Sequence, residues 1–433
     1  MIAPLDTNDP IDTKRSILII GGGITGMTVA IEAAEAGLTA HIVEASASLG
    51  GRVAQLATYF PKMCPPSCGL EMNYRRMRNQ DRIRVHTLSQ VTRVEGSRGK
   101  FQVTVEHSPR RVRDRCTACN ACVEPCPVHR DDPHNLGLTS IRAIGLPFDM
   151  AYPHRYAIDS VTCQSPTCSA CVDACKVGAI NLNEPTTQEV LDVGAIVVAT
   201  GWQPYDATKL TNLGFGSHSD IITNLMMERI TSPQGSTNGR IVCPSNGRAP
   251  STIAFIQCAG SRDNQHLPYC SSVCCAATMK QILSVRAALP NTRIRVFYID
   301  IRTLGRLEHL TTRASDSEHV SFERGKVGRI SIIDDVPHLH VENTLTGAVS
   351  SVAADLVVLA TGMVPSIRHQ PLPFDLLLDD WHFGITDTDR TGIIAAGCAR
   401  RPFSVAESVR DATAAVLRAM HCFSTATAAT RSR

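Results

Sequence analysis

The sequence has little net charge and no long hydrophobic run. Its 43 Lys and Arg residues nearly balance 40 Asp and Glu residues, which leaves a formal charge of +3 over 433 residues. So small a charge gives no argument for a nucleic acid or an anionic membrane surface as a partner. The most apolar stretch, 17–38, contains two glutamates, with four glycines in its first half. We therefore expect neither nucleic-acid binding nor a direct membrane span.

We also expect no export signal, because residues 1–15 carry three aspartates and no apolar core. A chain that is not exported keeps its thiols reduced, so its cysteines are more often metal ligands or redox groups than disulfides. This matters because the sequence is rich in cysteine, with 17 in all. The 43% apolar content predicts folded cores, and the length predicts two or three domains.

The first motif is a glycine-rich turn between a buried strand and a helix. The run 16–20 predicts a parallel strand, 27–37 an amphipathic helix, and 39–43 a second strand that ends at Glu44. The glycines of the G-x-G-x-x-G pattern are Gly21, Gly23 and Gly26. In order, they would allow a tight turn, the approach of a pyrophosphate, and close helix–strand packing, while Glu44 would accept hydrogen bonds from ribose hydroxyls. A purely structural glycine turn is the alternative.

Further segments resemble the thioredoxin-reductase-like flavoproteins with two dinucleotide-binding domains. A second glycine pair follows the acid and favours FAD over NAD. Two apolar strands end in Ala-Thr-Gly and would mark the crossings between an FAD domain and an inserted NAD(P)-type domain. A late strand resembles the one near the flavin ribityl chain, although Cys398 stands where an acid is usual. Besides the first glycines and Glu44, the resemblance assigns to the cofactor Gly50, Gly51, Arg52, Thr200, Gly201, Thr361, Gly362 and Gly397.

A second glycine fingerprint is missing where this resemblance would place one. The predicted strand 252–256 runs into the segment 257–263 (QCAGSRD), in which no G-x-G-x-x-G can be written. The segment 293–300 still predicts the next strand with a terminal acid. We therefore expect an α/β domain that keeps the NAD(P)-type fold, and we expect that NAD(P)H is not the electron donor.

Eight cysteines fall into two ferredoxin-type runs. The first, C-x2-C-x2-C-x3-C-P at 116–127, is typical of a [4Fe–4S] cluster. The second, C-x4-C-x2-C-x3-C at 163–175, has a longer first loop, and Lys176 replaces the usual proline. In the ferredoxin pattern the fourth cysteine of a run binds the other cluster. Cluster one would then use Cys116, Cys119, Cys122 and Cys175. Cluster two would use Cys163, Cys168, Cys171 and Cys126. A structural zinc site is the alternative.

Six further cysteines are candidates for redox thiols or for an extra cluster: Cys64, Cys68, Cys258, Cys270, Cys274 and Cys275. The first two lie in a proline-rich loop expected near the flavin, and the other four lie in the segment that replaces the nicotinamide turn. Burial of Cys258 and Cys275 as core thiols is the alternative. Cys243, Cys398 and Cys422 are expected to be packing residues. The arginines of 110–115 are expected on a solvated face, with docking of an acidic partner as the alternative.

The ferredoxin-type module interrupts the flavin domain and would hold its clusters near the flavin. The expected division is 1–111 for the first part of the FAD-binding domain, 112–182 for the module, 183–206 for the return strand, 207–384 for the degenerate NAD(P)-type domain, and 385–433 for the last part of the FAD domain, with a frayed tail from 423.

The whole pattern resembles the heterodisulfide reductase A subunit and its relatives over about residues 15–420. A closer likeness is to the A subunits of quinone-interacting membrane-bound oxidoreductase (Qmo) complexes. The segments that carry it are GGRVAQLATYFPKMCPPSCGLEMNYRR, YAIDSVTC, ATGWQPYDATKL, TNLMMERI and IQCAGSRDNQHLPYCSSVCC.

This resemblance implies an electron-transfer subunit that carries FAD and two [4Fe–4S] clusters. It would work between the quinone pool and adenylylsulfate reductase in dissimilatory sulfur metabolism. Sister subunits, one of them a heme-bearing membrane protein, would hold it at the cytoplasmic face of the membrane. Two alternatives stay open: a soluble thiol/disulfide oxidoreductase that uses Cys270, Cys274 or Cys275 on a sulfur substrate, and a non-catalytic assembly subunit.

Overall fold

A computed structural model describes residues 15–386 and 391–430, with side chains as far as residue 423. The aspartate-rich start of the chain thus lies outside the described residues. The helices are α1 Ile24–Glu35, α2 Pro66–Arg78, α3 Ala170–Asp173, α4 Asn224–Thr231, α5 Cys274–Ala288, α6 Glu308–Ser315 and α7 Val405–Thr430. Because α7 continues through Thr430, the expectation of a frayed tail from residue 423 is wrong for that stretch of backbone.

The first domain is built on a parallel sheet of five strands. Their bounds are β1 Ser16–Ile20, β2 Thr39–Glu44, β3 Ile83–Thr87, β11 Ala195–Val198 and β21 Ile393–Ala395. Their order across the sheet is β21-β11-β1-β2-β3. Strands β1 and β11 are buried along their whole length, as continuously apolar parallel strands should be. Helix α1 packs between this sheet and helix α7 in the main core.

Helix α1 begins at Ile24, three residues before the predicted start. The glycine run itself forms the helix start, since the amide of Met27 donates to the carbonyl of Gly23 at 2.9 Å. The fingerprint glycines therefore present the free amides of the first helical turn.

An antiparallel sheet of three strands packs beside the parallel one. Its strands are β4 Ser89–Ser97, β5 Lys100–His107 and β10 Thr187–Val193, with β5 in the middle. All of the cysteine-rich module lies between β5 and β10. The module carries β6 His129–Asp131, β7 Ser140–Arg142, β8 Ile144–Gly145 and β9 Ala157–Ile158. The chain enters and leaves it side by side, because Val112 bridges Ile180 and the amide of Arg113 donates to the carbonyl of Ala179 at 2.8 Å.

The second domain contains a seven-stranded sheet. Its strands are β13 Ile221–Thr223, β14 Thr252–Ala259, β15 Arg293–Tyr298, β16 Val320–Ile333, β17 Val336–Asn343, β18 Val349–Ala353 and β19 Leu356–Thr361. In the order β13-β19-β14-β15-β16-β17-β18, the first four pairings are parallel and the last two are antiparallel. A two-stranded link of β12 Trp202–Pro204 and β20 Met363–Pro365 follows the two Ala-Thr-Gly segments and joins the domains.

A buried polar junction also ties the two domains together. Glu228 on α4 accepts the amide of Ala57 at 3.0 Å and the ammonium of Lys280 at 2.7 Å. Lys280 also donates to the carbonyl of Thr58 at 2.6 Å. Both charged side chains are only 3% exposed. Because each charge has partners in both domains, the junction fixes their relative position.

Candidate functional site

A cavity of about 920 Å³ opens at the carboxyl ends of the parallel strands of the first domain. Residues of the second domain and of the cysteine-rich module complete its wall. Open parallel sheets bind their ligands at this edge. The predicted cofactor residues that line the cavity are Gly21, Gly23, Glu44, Gly51, Arg52, Thr200 and Gly201.

The glycines leave space where a phosphate has to approach the backbone. A Cβ on Gly26 would lie 1.9 Å from the carbonyl oxygen of Gly21, so only glycine lets α1 and the turn pack this closely. A Cβ on Gly23 would meet nothing nearer than Gly51 at 4.0 Å, so the space in front of it is open to a ligand. This fits the separate roles predicted for the two glycines.

Glu44 closes one side of the cavity at the end of β2. Its carboxylate accepts the amide of Gly22 at 2.6 Å and both the amide and the hydroxyl of Ser46, at 2.8 and 2.6 Å. An ionised carboxylate has about four acceptor positions, so it still has capacity for a ribose hydroxyl.

The residues present fit a flavin dinucleotide. Among the cavity-lining residues, the hydroxyl of Thr200 and the side-chain carbonyl of Gln281 are buried without a hydrogen-bond partner. Buried polar atoms are rarely left unpaired, so they are suited to a polar ligand. The volume also lies at the large end of the range for small-molecule and cofactor sites.

Five predicted cofactor residues do not line the cavity: Gly26, Gly50, Thr361, Gly362 and Gly397. Gly26 and Gly50 belong to the backbone turns next to the cavity-lining glycines Gly21 and Gly51. Thr361 ends β19 in the second sheet, and its hydroxyl bonds to Asn224 at 3.0 Å. A Cβ on Gly362 would meet the hydroxyl of Ser261, so it serves internal packing. The assignment of these five positions to the cofactor stays a prediction.

The late strand places a thiol where the flavoprotein pattern has an acid. Cys398, expected to be a packing residue, lines the cavity and lies 3.4 Å from the carbonyl of Phe403. An acid from helix α7, Asp411, lies behind this turn and accepts the amide of Gly397 at 2.8 Å. Asp411 also pairs with Arg400 at 2.6 Å.

One part of the cavity wall comes from the module, and no sequence motif indicated it. The connection between the two cysteine runs contributes Arg130, His134 and Phe148, and the rings of the last two stack with centroids 4.8 Å apart. The second domain contributes Lys280 and Gln281 from α5. Motifs do not mark these residues, because their role depends on long-range packing.

Thiols of the two cysteine runs lie side by side in the module. Burial, with the neighbouring thiols of Cys116, Cys171 and Cys175, raises the pKa of Cys122 to about 12. The pKa of Cys171 is likewise raised by burial and by Cys163, Cys126 and Cys168. The fourth cysteine of each run thus lies beside the other run. Cys122, Cys126 and Cys171 lie in the buried core of the module.

The loop that carries the first cysteine run turns sharply between its cysteines. Ala118 and Asn120 have positive φ values, 53° and 68°, so the backbone turns sharply between the cysteines. The amide of Ala118 points at the sulfur of Cys116 at 3.5 Å, and the amide of Ala179 points at that of Cys175 at 3.2 Å. Amide–sulfur hydrogen bonds of this kind favour thiolates and tune cluster potentials.

Arg110 anchors the module to the flavin-type domain, so the expectation of a solvated face is wrong for this residue. It is 5% exposed and donates to the carbonyls of Ala47, Arg155 and Tyr156. It also donates to the hydroxyl of Thr87 at 2.7 Å. Burial lowers its pKa to about 10, which still leaves it charged at neutral pH. Nothing in the spacing of the arginine run distinguishes Arg110 from its neighbours.

Four cysteines lie close together at the end of β14 and the start of α5: Cys258, Cys270, Cys274 and Cys275. Burial together with the thiols of Cys275 and Cys270 raises the pKa of Cys258 to about 11. Burial raises the pKa of Cys274 further. Cys258 is partly exposed, so the core interpretation holds for Cys275 but not for Cys258. Arg302 is also close, since its pKa is raised by Asp300 and by Cys270.

The remaining predicted pair, Cys64 and Cys68, lies at the start of α2. Cys64 is partly exposed, and Cys68 is exposed. Both thiols influence Tyr59, whose pKa is raised by burial and by their charge. Tyr59 lines the cavity, so the pair lies close to the site without lining it.

Comparisons with known proteins agree with this architecture. A family model described as an NAD(P)-binding Rossmann-like domain matches residues 19–70. Among solved structures, the thioredoxin reductase of T. acidophilum covers 94% of this chain and 98% of its own, with a TM-score of 0.52 and 11% identity. Lactococcus lactis thioredoxin reductase covers 95% and 99%, with a TM-score of 0.51 and 13% identity. These likenesses define the fold as that of thioredoxin-reductase-like, two-domain flavoproteins.

Curated relatives are similar over nearly the whole chain. The A subunit of the ferredoxin:CoB–CoM heterodisulfide reductase of Methanosarcina mazei is 36% identical over 429 residues, 95% of this chain and 54% of the relative. The A subunit of the H2:CoB–CoM heterodisulfide,ferredoxin reductase of Methanothermobacter thermautotrophicus is 33% identical over 97% of this chain and 65% of the relative. The chain thus spans between about half and two thirds of these relatives. Over nearly its whole length it is similar to the heterodisulfide reductase A subunits.

No helix in the described part of the chain is long and apolar enough to cross a membrane.

Proposed function

We propose that this chain is an electron-transfer subunit that carries FAD and two [4Fe–4S] clusters. The observation that carries the proposal is the placement of the module. Eight cysteines, in two sequence runs of four, lie in residues 112–182, and the same segment supplies part of the wall of the dinucleotide cavity. Cofactors held in these two places would be neighbours.

The chain's own residues suit FAD in distinct ways. Gly23 leaves room for the pyrophosphate, and Glu44 would accept a ribose hydroxyl. The unpaired hydroxyl of Thr200 would gain a partner. A bound flavin supplies the conversion between one-electron and two-electron steps, while the protein provides position and electrostatics.

The cluster assignment has a direct chemical test. Anaerobically purified protein should contain FAD, iron and acid-labile sulfide, with about eight irons per chain. Cys175→Ser should remove iron from cluster one and leave the EPR signal of cluster two. The matched control is Cys243→Ser, since Cys243 is a buried thiol outside the module. Zinc in place of iron would support the structural-zinc alternative and contradict the proposal.

A finer assignment concerns partners. The long Qmo-like segments and the relatives named as subunits of heterodisulfide reductases support a place in a larger complex. We propose that sister subunits, including a heme-bearing membrane subunit, connect this chain to the quinone pool and to adenylylsulfate reductase at the cytoplasmic face of the membrane. Affinity purification from the native cell should recover these proteins. Recovery of neither the sister subunits nor adenylylsulfate reductase would contradict the assignment.

A thiol/disulfide enzyme is the second candidate, because the relatives are named heterodisulfide reductases and four cysteines lie together. Burial raises the pKa of Cys258, Cys274 and Cys275, which disfavours the nucleophilic thiolate. The raised pKa values therefore favour an extra cluster or buried thiols over a nucleophilic cysteine.

Alkylation distinguishes a thiol enzyme from an electron relay. Loss of dye-mediated flavin turnover after labelling of Cys270 would support the thiol enzyme.

The proposal also holds that NAD(P)H is not the electron donor. Where a nicotinamide domain has a glycine turn, this chain places Leu267 and Tyr269 in an apolar cluster between β14 and α5. Rapid mixing of the holoprotein with NADH or NADPH should leave the flavin oxidised. Hydride transfer from either nucleotide would overturn this part of the proposal.

A further inference from the structure

Three histidines and a glutamate come together where the parallel and the antiparallel sheets of the first domain meet. They lie on four strands that are distant in sequence, namely His41 on β2, His86 on β3, His107 on β5 and Glu189 on β10. Within the described residues, His86, His107 and Glu189 form a group whose potential ligand atoms all lie within 4.8 Å of one another. The function proposed above makes no use of them.

The geometry converges on one carboxylate oxygen. Oε2 of Glu189 lies 3.7 Å from Nδ1 of His86 and 3.4 Å from Nε2 of His107. The side chains are 14%, 25% and 48% exposed for His86, His107 and Glu189, so the group is open to solvent on the Glu189 side. Two imidazoles and one carboxylate, with a fourth coordination position open to solvent, form a ligand set that suits borderline divalent metals such as zinc.

Hydrogen bonds behind the histidines set which ring nitrogen faces the group. The Ser89 hydroxyl donates to the carbonyl of Thr87 at 2.9 Å and lies 2.8 Å from Nδ1 of His107. A hydroxyl has one proton, so Ser89 accepts from His107, whose proton is then on Nδ1. The other nitrogen, Nε2, is left with a free lone pair directed at Glu189.

His86 is held in the same manner. Its Nε2 lies 3.3 Å from Nδ1 of His41, and the two rings stack with centroids 5.6 Å apart. When Nε2 of His86 donates to His41, the lone pair of Nδ1 faces Glu189. Metal-binding histidines characteristically use one nitrogen for the metal and donate the other to a protein acceptor. Burial lowers the pKa of both His41 and His86, and the nearby charge of Arg84 acts in the same direction.

We propose that His86, His107 and Glu189 form a zinc-type metal site, with Ser89 and His41 as positioning residues. The site joins β3 of the parallel sheet to β5 and β10 of the antiparallel sheet. A bound ion would therefore connect the two sheets of the first domain. The ligands are nitrogen and oxygen only, which separates this site from the thiol groups of the chain.

Zinc binding to the anaerobic, cluster-loaded holoprotein tests the proposal. After dialysis against zinc, wild-type protein should retain one equivalent more zinc than Glu189→Gln and than the double variant His86→Gln/His107→Gln. Glu189→Gln is the primary variant because its side chain is half exposed and its loss should not disturb folding. His340→Gln is the matched control, since His340 is also a strand histidine next to a serine hydroxyl, that of Ser331 at 2.8 Å.

X-ray absorption identifies the ligands of the extra zinc. We expect Zn–N and Zn–O distances of about 2.0–2.2 Å rather than the Zn–S distance of about 2.3 Å. Ser89→Ala should weaken zinc binding about 10- to 100-fold. Wild type should also melt at a higher temperature with zinc than without it. Equal zinc retention by wild type and Glu189→Gln, at matched FAD content, would overturn the proposal and leave an ion pair of Glu189 with protonated histidines.

Discussion

At the scale of single residues, buried charges determine how the parts of this molecule meet. Arg110 fixes the module to the first domain, and Lys280 with Glu228 fixes the second domain to it. The sequence does not distinguish these residues from surface charges, since burial depends on strands and helices that come from distant segments.

Removal of one partner from the Lys280–Glu228 pair leaves a buried charge without compensation. Lys280→Met should lower the free energy of unfolding of the holoprotein by about 3–5 kcal/mol. Arg93→Gln breaks the exposed pair of Arg93 and Glu95 and should cost about 0–1 kcal/mol. Denaturant titration of both variants measures the difference. Equal midpoints would show that the junction is solvated.

The buried imidazole of His134 gives the protein a pH-dependent stability. Burial, with Arg229 nearby, lowers its pKa from 6.5 to about 4. The unfolded state then binds more protons between these two values, so the stability contribution is full above about pH 6.5 and declines as the pH falls towards 4. Relative to wild type, His134→Gln should lose stability less steeply over this interval. Urea titrations at several pH values measure it, and parallel curves for the two proteins would refute it.

At the scale of elements, motifs formed by neighbouring residues could be predicted from the sequence. The parts of the cavity wall that come from distant segments could not. The strand–turn–helix around Gly21–Gly26 follows from chain-local sterics, so its existence could be read from the sequence. The cavity wall from 130–148 and the histidine group arise from packing between strands far apart in sequence, which periodicity does not encode. Thr361 and Gly362 show the same limit of sequence-based prediction. An Ala-Thr-Gly sequence can end a strand of either sheet, so it does not tell whether the strand borders the cavity.

The close packing of α1 on the glycine turn gives a test at this scale. Gly26→Ala would place a methyl group 1.9 Å from the carbonyl of Gly21, so α1 has to move away from β1. We expect a loss of bound FAD and a destabilisation of about 1–3 kcal/mol. Gly328→Ala is the control, because a Cβ there meets only the carbonyl of His340, at 3.9 Å. Full FAD retention by Gly26→Ala would mean that the turn does not hold the dinucleotide.

At the scale of the whole molecule, the fold is a two-domain flavoprotein with a cysteine-rich insertion. The insertion enters and leaves through paired strands, so it adds a module without disturbing the sheet on which the cavity depends. Cysteine spacing predicts the two thiol groups. It was not sufficient to predict that the module also builds the cavity wall, and this shared wall is the basis for proposing electron exchange.

Stopped-flow reduction of the anaerobic holoprotein tests that central claim most directly. A low-potential one-electron donor should bleach the flavin rapidly in wild type. In Cys116→Ser and Cys163→Ser, with FAD still bound, bleaching should be at least about tenfold slower, since each variant lacks one ligand of a proposed cluster. Cys243→Ser should behave as wild type. Flavin reduction in both cluster variants at the wild-type rate would contradict the account of a relay through the inserted module.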